Sequence, residues 1–209
     1  MESFLPFFPL NLVVFPNEKL NLHIFEPRYR QLINETIENE STFGIPAFIN
    51  NKLPGFGTEV KIIELTKRYE DGRLDLKTEG VQVFKMISFE NPVRNKMFAG
   101  GKVRLIENGN SFHKADDELI TLLQKLQTLL ESPFDFDSFL PFFSFQIAHK
   151  IGLSLEDEYK LLLIEDEEDR QLFILKHLRN VVPVLTELDR TKTRIRMNGH
   201  FKNLDPLEF

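Results

Sequence analysis

Ser144 and His149 are the two residues whose types most suggest nucleophilic chemistry. A hydrolase needs the histidine within hydrogen-bond reach of the serine oxygen. These two sit five residues apart on one apolar, helix-like segment, so their side chains point to different faces. The Gly-x-Ser-x-Gly elbow that would expose a nucleophile is missing as well. Asp135 and Asp137 are a second candidate, a carboxylate pair suited to acid–base work. They stand directly before that segment, next to Ser138, where such residues cap helices, and capping is the reading adopted. The five histidines (His23, His113, His149, His177 and His200) are scattered, and no two share metal-ligand spacing on one element. The chain has no cysteine, which excludes disulfides, thiolate nucleophiles and cysteine-held metals. No Gly-x-x-x-x-Gly-Lys-Ser/Thr loop is present to cradle a phosphate. The acidic run from Glu165 to Asp169 reads as a helix N-terminus, where the dipole favours negative charge. The sequence therefore predicts no catalytic residue, no metal and no cofactor.

What remains is aromatic. The chain holds 21 Phe against 3 Tyr and no Trp. Phe134, Phe136, Phe139, Phe142, Phe143 and Phe145 place six rings within twelve residues. Rings at that density cannot all face one side of a helix. Phe134, Phe136, Phe139, Phe142 and Phe143 are therefore candidate contacts for apolar polypeptide segments, with core packing as the competing role.

The elements that would carry these residues follow from periodicity. Residues 1–115 hold 8 of the 10 glycines and read as β-rich. Polarity alternates around Val60–Ile62, Leu74–Lys77 and Lys102–Leu105, which predicts strands. Asp71-Gly72 predicts a hairpin turn, and Gly80 a bulge or corner. Pro27 starts a helix with Tyr29, Leu32, Ile33, Thr36 and Ile37 on one face. Residues 116–189 read as four helical segments. Leu119, Leu123, Leu126 and Leu130 form the stripe of the first. Ser138–Ile151 is the expected central helix, Ser154 caps the third, and Asp166 opens a fourth that Pro183 kinks or breaks. Residues 190–209 are expected to form a loose tail.

Charge and hydropathy bound the partners. The net charge is -6, and residues 1–115 carry only a small positive excess. Phosphate neutralisation dominates nucleic-acid affinity, so RNA is the lesser alternative, with Arg190–Arg196 as its sole basic patch. No stretch reaches the ~18 apolar residues of a membrane span, and the N-terminus lacks the features of a signal peptide. A cytoplasmic, non-membrane protein is expected.

The N-terminal block carries the most specific pattern. It runs Leu5-Pro6-Phe7-Phe8-Pro9-Leu10, then Val13-Val14-Phe15-Pro16, then Ile24-Phe25-Glu26-Pro27-Arg28-Tyr29-Arg30. In order and spacing it resembles the substrate-binding N-terminal domain of Lon proteases. Phe43-Gly44-Ile45, Gly57-Thr58, Asp71-Gly72-Arg73 and Glu79-Gly80 extend the match, and Ala148–Ile151 continues it weakly. The family has Gly where this chain has Asn17, and Asn tolerates the same backbone. The resemblance implies an α+β fold: a PUA-like β pseudobarrel with one inserted helix, followed by a helical bundle. It implies recognition of unfolded or apolar-rich polypeptides without catalysis. Lon proteases add ATPase and peptidase domains, so a stand-alone module is expected, serving a separate protease or chaperone as a monomer or weak dimer. Within the signature, Glu26, Pro27, Arg28, Tyr29 and Arg30 are expected to fix the helix against the barrel.

Overall fold

Proline punctuation and one close-approach glycine shape the N-terminal half. The structure is a computed structural model that describes residues 2–107, 114–131, 134, 137 and 142–200, the side chains of 197–200 excepted. Its strands are β1 (Glu2–Phe7), β2 (Lys19–Ile24), β3 (Phe43–Pro46), β4 (Phe56–Arg68), β5 (Leu74–Met86) and β6 (Ala99–Leu105). Helix α1 (Pro27–Glu38) is inserted between β2 and β3. The sheet order is β2-β5-β4-β3-β1-β6, and β5 also pairs with β6. Five strands therefore close on themselves, and β2 is added outside the ring, against the first half of β5.

The bulge expected at Gly80 is where β5 changes partners. Val60 faces Gly80 while Glu59 faces Gln82, which leaves Val81 as the extra residue. Up to Glu79 the outer partner of β5 is β2, and from Phe84 it is β6. A Cβ at Gly80 would lie 2.2 Å from the Phe15 carbonyl oxygen. Glycine alone lets the Phe15–Asn17 loop cross the strand there. Asn17 takes the left-handed conformation (φ 64°) that its side chain tolerates.

Three apolar clusters organise the molecule. Phe7, Phe84 and Val103 are fully buried inside the ring, with the Phe7 and Phe84 rings stacked at 5.7 Å. Leu32 and Ile33 of α1 pack with Ile24, Leu74 and Leu76 under β2 and β5. The largest cluster joins Val13, Phe15, Ala47, Ile49 and Val83 of the β part to the helices. The two compositional halves of the sequence thus share one core.

The helices are α2 (Asp117–Leu130), α3 (Phe143–Ile147), α4 (Leu155–Leu162) and α5 (Glu167–His200), with a 3-10 turn over Ala148–Lys150. Asp116 caps α2, its carboxylate accepting from the amides of Glu118 and Leu119. Ser154 caps α4, its hydroxyl accepting from the Asp157 amide and donating to the Asp157 carboxylate. The expected central helix is shorter than its apolar run. Phe142 has φ 60°, a conformation incompatible with an α-helix, so α3 starts only at Phe143. Residues 138–141 lie outside the described residues. Helix α5 runs through Pro183 and on to His200, so residues 190–200, expected to be loose, are helical. From Glu187 to Arg196 its side chains are all exposed, so this stretch projects beyond the core. No helix among the described residues is long and apolar enough to cross a membrane.

Candidate functional site

The loop that crosses Gly80 forms one wall of a cleft. Asn17 N–H donates to the Gly80 carbonyl, and Gly80 N–H to that of Glu18 (2.8 and 2.9 Å). This sets Glu18 against the helical half, where its Oε2 accepts from Phe15 N–H (2.8 Å) and faces His149 Nε2 at 3.2 Å. His149 Nδ1 lies 2.7 Å from Glu158 Oε1 on α4. Burial by itself lowers the His149 pKa, but hydrogen bonding and charge from Glu18 and then Glu158 outweigh it and raise it to about 9. At neutral pH the imidazole is a cation that donates from both nitrogens. The Phe15 ring stacks on Phe145 at 4.9 Å and packs against His149 at 5.0 Å. Between loop and helices a cleft of about 440 Å³ opens, walled by Pro16, Lys19, Phe142, Gln146 and His149.

Below the cleft, a buried ion pair within the first turn of α5 holds α3 through Ser144. Arg170 and Glu167 are both essentially inaccessible, with Arg170 Nη2 3.0 Å from Glu167 Oε2. Arg170 also donates to the Ile164 and Glu165 carbonyls (2.8 Å each). Its guanidinium lies 4.4 Å from the Phe145 ring centroid. Ser144 is fully buried: its Oγ donates to Glu167 Oε2 (2.8 Å) and accepts from Arg170 Nε (2.9 Å). That hydroxyl fastens a helix start and is closed to substrate. The acidic run does open α5, with Glu167, Glu168 and Asp169 in its first turn, but Glu167 also has this specific partner.

The aromatic candidates divide. Phe143 is fully buried in the shared core. Phe142 is half-buried, stacks on Phe145 at 6.2 Å and lines the cleft. Phe134 is half-buried, and Lys150 Nζ lies 5.5 Å from its ring centroid. Phe136 and Phe139 lie outside the described residues, as does Asp135, the first member of the expected carboxylate pair. Asp137 is exposed. Among the described residues no group of three or more His, Asp or Glu side chains could hold a metal ion.

The N-terminal signature acts on the helix it precedes. Glu26 and Arg28 pair on the surface (2.8 Å), with the Arg28 guanidinium 4.4 Å over the Tyr29 ring. Tyr29 is buried edge-on against Phe8 (4.3 Å). Arg30 does not pair with Glu26. It donates to the Asp71 carbonyl (2.6 Å) and so ties α1 to the β4–β5 turn. Nearby on the outer sheet face, His23 Nδ1 (2.5 Å) and the Tyr69 hydroxyl (2.8 Å) hold Asp75. These contacts, that of His23 first, lower the Asp75 pKa.

A closed five-stranded barrel carrying one inserted helix and a helical extension defines an α+β, PUA-like class of protein. Within it, the sequence profile of the ATP-dependent protease La (LON) substrate-binding domain matches residues 4–180. The chain belongs to that family. It is similar to the solved Lon N-terminal domain protein from Xanthomonas campestris, at 26% identity and a TM-score of 0.68. That match covers 83% of this chain and 98% of the other. The N-terminal domain of the Mycobacterium avium complex Lon protease shares the fold at 14% identity and a TM-score of 0.56, covering 86% of this chain and all of that one. No curated protein matches the chain.

Proposed function

We propose that this protein is a non-catalytic recognition module for unfolded or apolar-rich polypeptides, acting in the cytoplasm as an adaptor for a separate protease or chaperone. Membership of the LON substrate-binding domain family supports substrate recognition. The observation that carries the further step is the cleft at the barrel–helix seam, where half-buried Phe142 and buried Pro16 stand beside the cationic groups of Lys19 and His149. An apolar wall with a few charged groups is the usual make-up of a recognition pocket. Of the phenylalanines singled out in the sequence, half-buried Phe142 lines this cleft, half-buried Phe134 packs against the same core, and Phe143 supports it from within. A peptide array scored for binding tests the reading. Preferential capture of apolar, unstructured segments is expected, and capture that ignores apolar content counts against it. The adaptor role predicts faster degradation of a bound polypeptide when a separate ATP-dependent protease is supplied in a reconstituted reaction.

A further inference from the structure

Strand β2 ends the sheet. Among the described residues its only strand partner is β5. The antiparallel ladder is phased by Gly80 N–H donating to the Glu18 carbonyl. Leu20 lies opposite Thr78, Leu22 opposite Leu76 and Ile24 opposite Leu74. In that phase the main-chain groups of Leu20, Leu22 and Ile24 turn toward β5, and those of Lys19, Asn21 and His23 turn away from it. Among the described residues, these three make no main-chain hydrogen bond outside the ladder. A row of donors and acceptors at strand spacing is complementary to one kind of ligand, another extended backbone.

This edge is recessed. A hollow of about 380 Å³ lies along it, walled on the far side by Phe8, Pro9 and Leu10 and closed at one end by Tyr29. The Phe8–Leu10 segment is engaged on its other side by β3 and the residues that follow it: Phe8 N–H donates to Gly44, and Phe48 N–H to the Leu10 carbonyl. The sheet thus curls from Phe8–Leu10 through β3, β4 and β5 to β2 and stops one gap short of a second closure. The ionic side chains around the gap already have partners: Glu26 pairs with Arg28, and the Asp75 carboxylate is held by the His23 ring and the Tyr69 hydroxyl. An uncharged occupant complements that balance, whereas a charged one leaves an ion without a partner. Phe25, 61% exposed at the rim, offers it an apolar contact. A second folded copy is a poorer fit, because the Phe8–Leu10 wall keeps a broad surface from reaching a recessed six-residue edge.

We propose that the outer edge of β2 takes up an extended, uncharged polypeptide segment as an added strand in the gap facing Phe8–Leu10. This rests on the polypeptide-recognition reading and adds a second, backbone-reading site to the seam cleft. It explains how such a module accepts many sequences, since main-chain hydrogen bonds are indifferent to side chains.

The test uses the full chain and a short end-blocked peptide rich in Val and Thr, beside the same peptide N-methylated at alternate amides. Binding of the plain peptide is expected, with amide hydrogen exchange slowed at Asn21 and His23. Methylation on the β2-facing side should weaken it at least about fivefold. Asn21→Pro, which deletes one outward amide and is checked for folding by its thermal transition, should weaken the plain peptide similarly. Equal affinity for both peptides overturns the proposal, and so does protection confined to residues around Phe142, an outcome that leaves the polypeptide reading standing. Protection of Asn21 and His23 in a peptide-free dimer, seen by sedimentation, overturns it in favour of a second copy. Absence of binding by any apolar polypeptide at either site defeats the broader reading.

Discussion

His149 Nε2 lies 3.2 Å from Glu18 Oε2, joining residues 131 positions apart across the seam between barrel and helices. Glu18 is set by the loop that crosses Gly80, and His149 by the turn after α3. The same contact that shapes the cleft therefore also helps to hold the two halves together.

That contact makes stability depend on pH in a defined direction. The folded His149 pKa is raised, to about 9 from 6.5. The protonated form is thus favoured by folding. Its contribution is fully present below about pH 6.5 and is lost as pH rises through about 9. Because the side chain is about a third exposed, solvent screening reduces the effect to roughly 1–2 kcal/mol. Thermal unfolding should show a transition midpoint that falls between about pH 6.5 and 9. His149→Gln should be less stable than the parent at pH 7 and nearly level with it at pH 10. An unchanged gap at both pH values would remove the ion pair from the explanation.

Arg170→Met should be among the most damaging single changes. It leaves Glu167, 1% exposed, without its cation, and strips the hydrogen bonds to the Ile164 and Glu165 carbonyls. Breaking a buried pair on one side costs about 3–5 kcal/mol. Chemical denaturation measures this, and a loss below about 1 kcal/mol would mean that Glu167 is readily rehydrated or protonated.

Gly80→Ala probes the loop crossing. The added methyl meets the Phe15 main-chain oxygen, which cannot rotate away as a side chain can. Overpacking of this kind costs about 1–3 kcal/mol. Gly55, at a turn with no atom within 4 Å of its would-be Cβ, is the control for crowding, although its φ of 104° adds backbone strain of its own. Comparing the two variants by denaturation separates crowding from backbone strain.

Local chemistry is what the sequence made legible. Pro27 at the start of α1, Asp71-Gly72 in the β4–β5 turn and Ser154 at the head of α4 each act within a few residues of themselves. The N-terminal signature identified the family because its prolines and aromatics recur in a specific order. The clamp on His149 was not legible, since its partners lie 131 and 9 residues away on other elements. Nor was the Glu167–Arg170 pair, because a charge run looks the same whether it faces water or a neighbouring helix. The apolar run before Ile151 overstated a helix because hydrophobicity marks burial, whereas the left-handed Phe142 sets where the helix begins. The open edge of β2 belongs to strand order, which alternation along a single strand does not reveal.

The most direct measurement is fluorescence anisotropy of a labelled, permanently unfolded polypeptide rich in apolar residues, titrated with the protein and with Phe142→Ala. Phe142 stands at the cleft and is only half-buried, so its truncation should leave the fold intact. Saturable binding by the parent is expected, weakened about fivefold or more by the substitution. The absence of saturable binding, or equal affinity for a polar, charged polypeptide of the same length, would contradict recognition of apolar segments.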